Sequence, residues 1–184
     1  MTIIRSRALT RVIAPANEPL TLAETKLYLR IDGNSEDSLI TDLIVSARMI
    51  AEHWLKRSLI TQAWKLSFDE YASDEIALPM GPVTNVTAVA IINRDTTSQT
   101  VSNAVYYLNA AKTMLLFDSA IVGFRIEITY GTGYGDASSV PKPIKQGMLS
   151  HIAAMYENRG ECNDQGALPE QSLRLYMPFR EVML

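Results

Sequence analysis

Serine and aspartate are plentiful but unpatterned, so the candidates for chemistry form a short inventory: two histidines, one cysteine and the glycine-rich stretch YGTGYGD, Tyr130 to Asp136. Gly131, Gly133 and Gly135 alternate with other residues directly after the strand-like FRIEITY, and a helix-like pattern follows. The first question is whether they cradle phosphate. A dinucleotide loop needs G-x-G-x-x-G, whose third glycine lets a helix approach the strand. Counted from Gly131, that place belongs to Asp136, whose carboxylate would repel a pyrophosphate. The Gly-Lys-Ser/Thr ending of a P-loop is missing as well. The stretch is therefore expected to be a bend in which glycine supplies positive φ.

His53 falls on a long helical pattern beside Trp54, and His151 falls on a later one; neither belongs to an H-E-x-x-H pair. Zinc wants about three or four ligands, and these two with Cys162 have no ligand-like spacing. Glu161, next to Cys162, would raise the thiol pKa and make it a poor nucleophile. No G-x-S-x-G elbow occurs. The expectation is no catalytic residue, no metal and no cofactor, with an enzyme the least favoured class.

With 184 residues, 47% of them hydrophobic and 20% charged, the composition is that of an ordinary globular protein. The length suits one domain, or one domain with an appendage. Seventeen basic against twenty acidic side chains leave a net charge of -3, which argues against broad adhesion to nucleic acid. Arg5, Arg7 and Arg11, with Lys56, Arg57 and Lys65, are local exceptions. They are expected to form a mobile basic arm and the cationic end of a helix. A lone cysteine cannot close an internal disulfide, and no run reaches the roughly 18 apolar residues of a membrane span. These features, with no secretory pattern in MTIIRSRALTRVIAPANEP, fit a protein made in a cytoplasm.

The elements that would position these residues begin after Pro15–Pro19. TLAE, Thr21 to Glu24, has capping-box form, predicting a short helix to about Arg30 that Gly33 ends. Asn34 and Ser35 offer caps for a second helix, in which Leu39, Ile40, Leu43, Ile44, Ala47, Ile50, Ala51, Trp54 and Leu55 recur at three- and four-residue steps. Its outer face is expected to carry Asp42, Arg48, Glu52 and Lys56. The period then changes: TQAWKLSFDEY alternates, and IALPM, VTAVAII, AVYYL, TMLLF and FRIEITY are short, β-branched or aromatic pieces split by turn residues. They predict a mostly antiparallel sheet, with NRDTTSQT as a hairpin loop. Pro141 and Pro143 open a third helix to about Asn158, lined by Ile144, Met148, Leu149, Ile152, Ala153 and Tyr156.

In that order, LTLAETKLYLRIDGNSEDSLITDLIVSARMIAEHWLKRSLITQ and GYGDASSVPKPIKQGMLSHIAAMYENR resemble the head-tail connector (adaptor) proteins of long-tailed bacteriophages and related prophages. The resemblance spans roughly residues 20–159 and rests on the ordered combination of the capped helix, Arg-Ile-Asp before an acidic turn, Leu-Ile-Thr-Gln after the long helix, and Gly-Tyr-Gly-Asp before Val-Pro. It implies a homo-oligomeric ring, commonly of twelve copies, that sits beneath the portal at the neck of the virion. The portal protein would be on one side and a stopper or tail-completion protein on the other. DNA would pass through the lumen without specific binding, and no membrane would be involved.

The expected fold class is thus α+β: a helical bundle with one long amphipathic helix plus a small, mostly antiparallel β-sheet. The expected organisation is an N-terminal arm over 1–19, a connector domain over 20–160 and a C-terminal loop and tail over 161–184. In the tail, Leu173, Leu175, Tyr176, Met177, Phe179, Val182, Met183 and Leu184 either cover the protein's own core or dock into the portal. Asp42, Arg48, Glu52 and Lys56 are candidates for contacts between neighbouring copies, where exposed ion pairs of about 0–1 kcal/mol each would set register. The runner-up function is another oligomeric virion or DNA-packaging component of like fold.

Overall fold

The computed structural model of the chain describes residues 6–158 and 168–181. They divide into two compact units. A sheet unit takes in the described residues up to Ala16 and Thr61–Gly133, and a helical unit takes in Asn17–Ile60 and the described residues from Tyr134 onward.

The sheet unit is built on β1 (Ser6–Ile13), β2 (Gln62–Ala77), β3 (Val83–Ile92), β4 (Ser98–Thr100), β5 (Tyr106–Leu108) and β6 (Met114–Thr132). All neighbours are antiparallel, in the order β1-β2-β6-β3-β4 with β5 also on β6. On β2 the buried residues Leu66, Phe68 and Ile76 keep one parity, as a half-buried strand requires. On β6 the parity changes, from Leu115 and Phe117 to Ile126, Ile128 and Tyr130. The pairing explains this. Ser73 faces Ile121 but Glu75 faces Leu116, so β6 spends three more residues than β2 across that gap. An odd excess turns every later side chain to the other face. The same apolar core, with Leu78, Val83 and Val89, is thereby served by both halves of β6.

The helical unit contains α1 (Leu22–Leu29), α2 (Asp37–Leu55), α3 (Lys142–Glu157) and α4 (Glu170–Tyr176). The capping box at α1 forms as its sequence dictates: the Glu24 N–H donates to the Thr21 hydroxyl at 3.1 Å, and the Thr21 N–H donates to the Glu24 carboxylate at 2.9 Å. The helix runs to Leu29 as expected, but it is Arg30, in the left-handed region at φ 57°, and not Gly33 that ends it. Neither Asn34 nor Ser35 caps α2, whose N-cap residue is Glu36. Asp37 in its first turn receives Lys26 Nζ at 2.6 Å. Ile40, Ile44, Ala47, Ala51 and Leu55 of α2 pack with Ile144, Met148 and Ile152 of α3 and with Tyr176 of α4. No helix among the described residues is long and apolar enough to cross a membrane.

This architecture corrects the expected helical bundle with a small sheet. The sheet has six strands, two of them 16 and 19 residues long, whereas the helices have 8, 19, 16 and 7, so no single helix dominates. The cause lies in residues that look like strand breaks. Asp118, Ser119 and Gly123 separate TMLLF from FRIEITY in the sequence, yet β6 runs through all of them. Part of the supposed N-terminal arm is also a strand, β1, paired with β2 from Ser6↔Asp69 to Ile13↔Ala63.

Within the helical unit α3 and α4 approach closely. A methyl group on Gly147 would overlap the ring of Tyr176, and the Ser172 hydroxyl donates to the Gly147 carbonyl at 2.8 Å. Gly147→Ala is expected to destabilise the fold by about 1–3 kcal/mol, the usual cost of overpacking. Tyr176→Leu in the Gly147→Ala background should recover part of the loss in urea denaturation.

Candidate assembly surface

The C-terminal segment is seated by its own aromatic and backbone groups. Tyr176 is fully buried, with its ring centroid 6.0 Å from that of Trp54 on α2. The Arg180 guanidinium lies over the other ring of that pair, 4.8 Å from the Trp54 centroid, and the Glu181 N–H donates to the Leu55 carbonyl at 2.9 Å. Burial pushes the Tyr176 hydroxyl pKa well up, and that hydroxyl has no hydrogen-bond partner among the described residues. Leu173, Leu175 and Phe179 are half-buried, and Phe179 packs against the same core. Of the expected docking residues, Met177 stands out at 66% exposed. Val182, Met183 and Leu184 lie outside the described residues, as do Arg5, Glu161 and Cys162.

The four charges expected on the outside of the long helix separate into two pairs. Asp42 and Lys56 are exposed, and Lys56 caps α2 at φ 57°. Arg48 and Glu52 are buried, which corrects their expected placement. Arg48 Nε donates to Glu18 at 2.7 Å, and its Nη1 donates to Glu52 at 3.0 Å. The second Glu52 oxygen accepts the Leu59 N–H at 2.9 Å. Burial works against the Arg48 charge, but the Glu18 hydrogen bond and the Glu52 charge outweigh it and hold the pKa above the ordinary arginine value. This cluster joins the entry to the helical unit, α2 and the turn after it. It offers no free group for catalysis.

The glycine-rich stretch is a bend. Gly133 and Gly135 take φ of 113° and 120°, and Asp136 accepts the Ser138 and Ser139 N–H groups at 2.9 and 3.1 Å. Hydrogen bonds from the Ser138 and Ser139 side chains hold its carboxyl below the usual range. That carboxylate closes the turn before α3, the place where a phosphate loop would offer N–H groups. His53 is exposed, and His151 is buried with neither ring nitrogen hydrogen-bonded among the described residues. The described residues bring together no three histidine, cysteine or acidic side chains fit to hold a metal.

Further exposed apolar side chains are Leu27 at 82% and Met49 at 50% in the helical unit, and Val122 at 69% in the sheet unit, none of them singled out by the sequence pattern. Leu27 was detectable in principle, since the capping box fixes the phase of α1 and leaves that position off its buried side.

Against this geometry, the family model for the head completion protein (HCP) matches residues 18–166. The chain belongs to that family. Its fold is that of a chain in the neck of an empty gene transfer agent (GTA) particle computed with C6 symmetry, at TM-score 0.79 and 23% identity over 96% of this chain and 97% of that one. A chain of the native GTA virion gives 0.78 and 23% over 96% of each, and one from a native GTA neck computed with C12 symmetry gives 0.77 and 24% over 96% and 97%. No curated protein sequence matches significantly. The family membership agrees with the resemblance carried by the capped helix and the Gly-Tyr-Gly-Asp bend.

Two outcomes follow from the buried polar groups. Arg48→Met leaves two carboxylates without their cation and is expected to cost about 3–5 kcal/mol. Adding Glu52→Gln should return part of it in a double-mutant cycle. Burial holds the folded His151 pKa below its ordinary 6.5, so the unfolded chain takes up the proton more readily. This stability is complete above pH 6.5 and is lost as pH falls toward the depressed folded value. Urea midpoints should drop in that window for the wild type and drop less for His151→Leu.

Proposed function

We propose that this chain is a non-enzymatic structural protein of a virion neck, whose copies close into a ring between the portal of the capsid and the tail and leave a passage for DNA. One observation carries the reading: a head completion family model matches residues 18–166, and the fold agrees with that of neck chains over 96% of the chain. The C6 and C12 symmetries of those particles support rotational repetition, in which one surface of a copy meets a different surface of the next. The Glu18–Arg48–Glu52 cluster also favours a scaffold, because its polar groups are used up in internal pairing.

Within this reading Asp42 and Lys56, exposed on α2, are the charges available to set register between copies. Leu27 and Met49 supply apolar area on the same unit. The segment from Met177 to Leu184 docks into the portal, with Tyr176 as the anchor that fixes where it leaves the core. A stopper or tail-completion protein is the partner on the far side.

Electron microscopy of the purified chain mixed with its cognate portal tests the ring directly: annular particles capping the portal are expected, and solitary molecules beside bare portals would refute it. Met177→Asp should leave the thermal unfolding temperature unchanged while reducing co-purification with the portal by about tenfold, the loss expected when an apolar contact is replaced by a buried charge.

A further inference from the structure

We infer that the open edge of β1 is a docking site for an extended, acidic segment of a partner protein, added to the sheet as a further strand. β1 ends the strand order and pairs only with β2, so among the described residues one of its two edges carries a free row of N–H and C=O groups. Such an edge is normally blunted by a bulge, a proline or a short length. β1 has eight residues, and its only irregularity lies between Arg11 and Ile13, leaving Ser6 to Arg11 in unbroken register.

The side chains along this edge specify what it accepts. Arg7, Leu9 and Arg11 lie on one face, opposite Phe68, Leu66 and Trp64 of β2. Arg7 lies over the Phe68 ring at 5.8 Å and Arg11 over the Trp64 ring at 5.9 Å, with Leu9 37% exposed between them. Neither arginine makes an ion pair among the described residues. The charges on the other face of the sheet are matched, Lys65 with Glu127 at 2.9 Å and Arg125 with Asp69 at 2.7 Å.

Two unneutralised guanidinium groups four residues apart in a strand stand about 13–14 Å from each other. A strand laid on the open edge sets its residues directly opposite Arg7, Leu9 and Arg11 on that same face. The complement is acidic-x-apolar-x-acidic. Duplex DNA fits less well, because it makes no use of a backbone edge or of Leu9. The family match begins at residue 18, beyond β1, so this site stands independently of the ring reading.

The test uses the full chain and a blocked peptide, Thr-Glu-Thr-Val-Thr-Glu-Thr. Saturable binding with slowed hydrogen exchange at alternate β1 amides is expected. Affinity should fall at least about tenfold when the glutamates become lysines, consistent with the loss of close charge pairs. It should fall similarly in Arg7→Gln/Arg11→Gln, whose fold is checked by circular dichroism. N-methylation of alternate peptide nitrogens should abolish binding without touching the protein. The inference is overturned by no binding of the glutamate peptide at millimolar concentration, by equal binding of the lysine or N-methylated peptide, by protection away from β1, or by duplex DNA displacing the peptide.

Discussion

A carboxylate that leaves water must find partners for both of its oxygens, and the helical unit is organised around one that does. Glu52 gives one oxygen to Arg48 and the other to the Leu59 N–H, while Arg48 also reaches Glu18. The cluster ties Glu18 to α2, 30 residues further on, and ties α2 to the turn that follows it. Replacing the cluster with apolar side chains of similar volume would cost less energy than breaking it, as is usual for buried ion pairs. Its contribution is positional: the turn after α2 can leave in only one direction once the Leu59 amide is claimed. The apolar residues around it, Ile44, Ala47, Ala51 and Leu55, supply the area that makes the burial favourable.

The parts of this fold that were legible in the sequence are those decided locally. The capping box of α1 needs only four residues, and the spacing of Ile40, Ile44, Ala47 and Leu55 marks a helix with one buried stripe. The failures came where a distant partner decides. Arg48 and Glu52 read as a solvated pair because they are charged, although their numbers fall inside the apolar stripe, between Ile44 and Leu55. That phase was the available signal. The long β6 was cut in two by its own turn-forming residues, which the sheet absorbs in the register shift opposite Ser73 and Glu75. β1 was missed because its alternation, Arg-x-Leu-x-Arg, has cations where a strand usually shows apolar side chains. Two aromatic rings of β2 account for them.

Function was legible through order and not through any reactive group. The acidic turn, the long helix, the Leu-Ile-Thr-Gln strand start and the Gly-Tyr-Gly-Asp bend each have a bland structural purpose, and their sequence along the chain is what marks the family. Asp136 illustrates this: the feature that disqualifies a phosphate loop is the one that ties the bend, through Ser138 and Ser139. The tail was ambiguous from sequence because large apolar residues serve a core and a partner equally well. Tyr176 and Met177 are neighbours, yet one is sealed against Gly147 and the other faces solvent.

The place of β6 in the sheet unit has a mechanical side. Over Arg125–Thr132 it is bonded to β2 along one edge and to β3 along the other, and over Leu115–Leu116 it lies between β2 and β5. Antiparallel bonds stand perpendicular to the strands. A pull along β6 is therefore shared by every rung simultaneously, whereas a pull on β4 or β5, three residues each, is met by only a few. The sheet is stiffest along its middle and yields first at its short outlying strands, the gradient expected of a beam clamped at its centre.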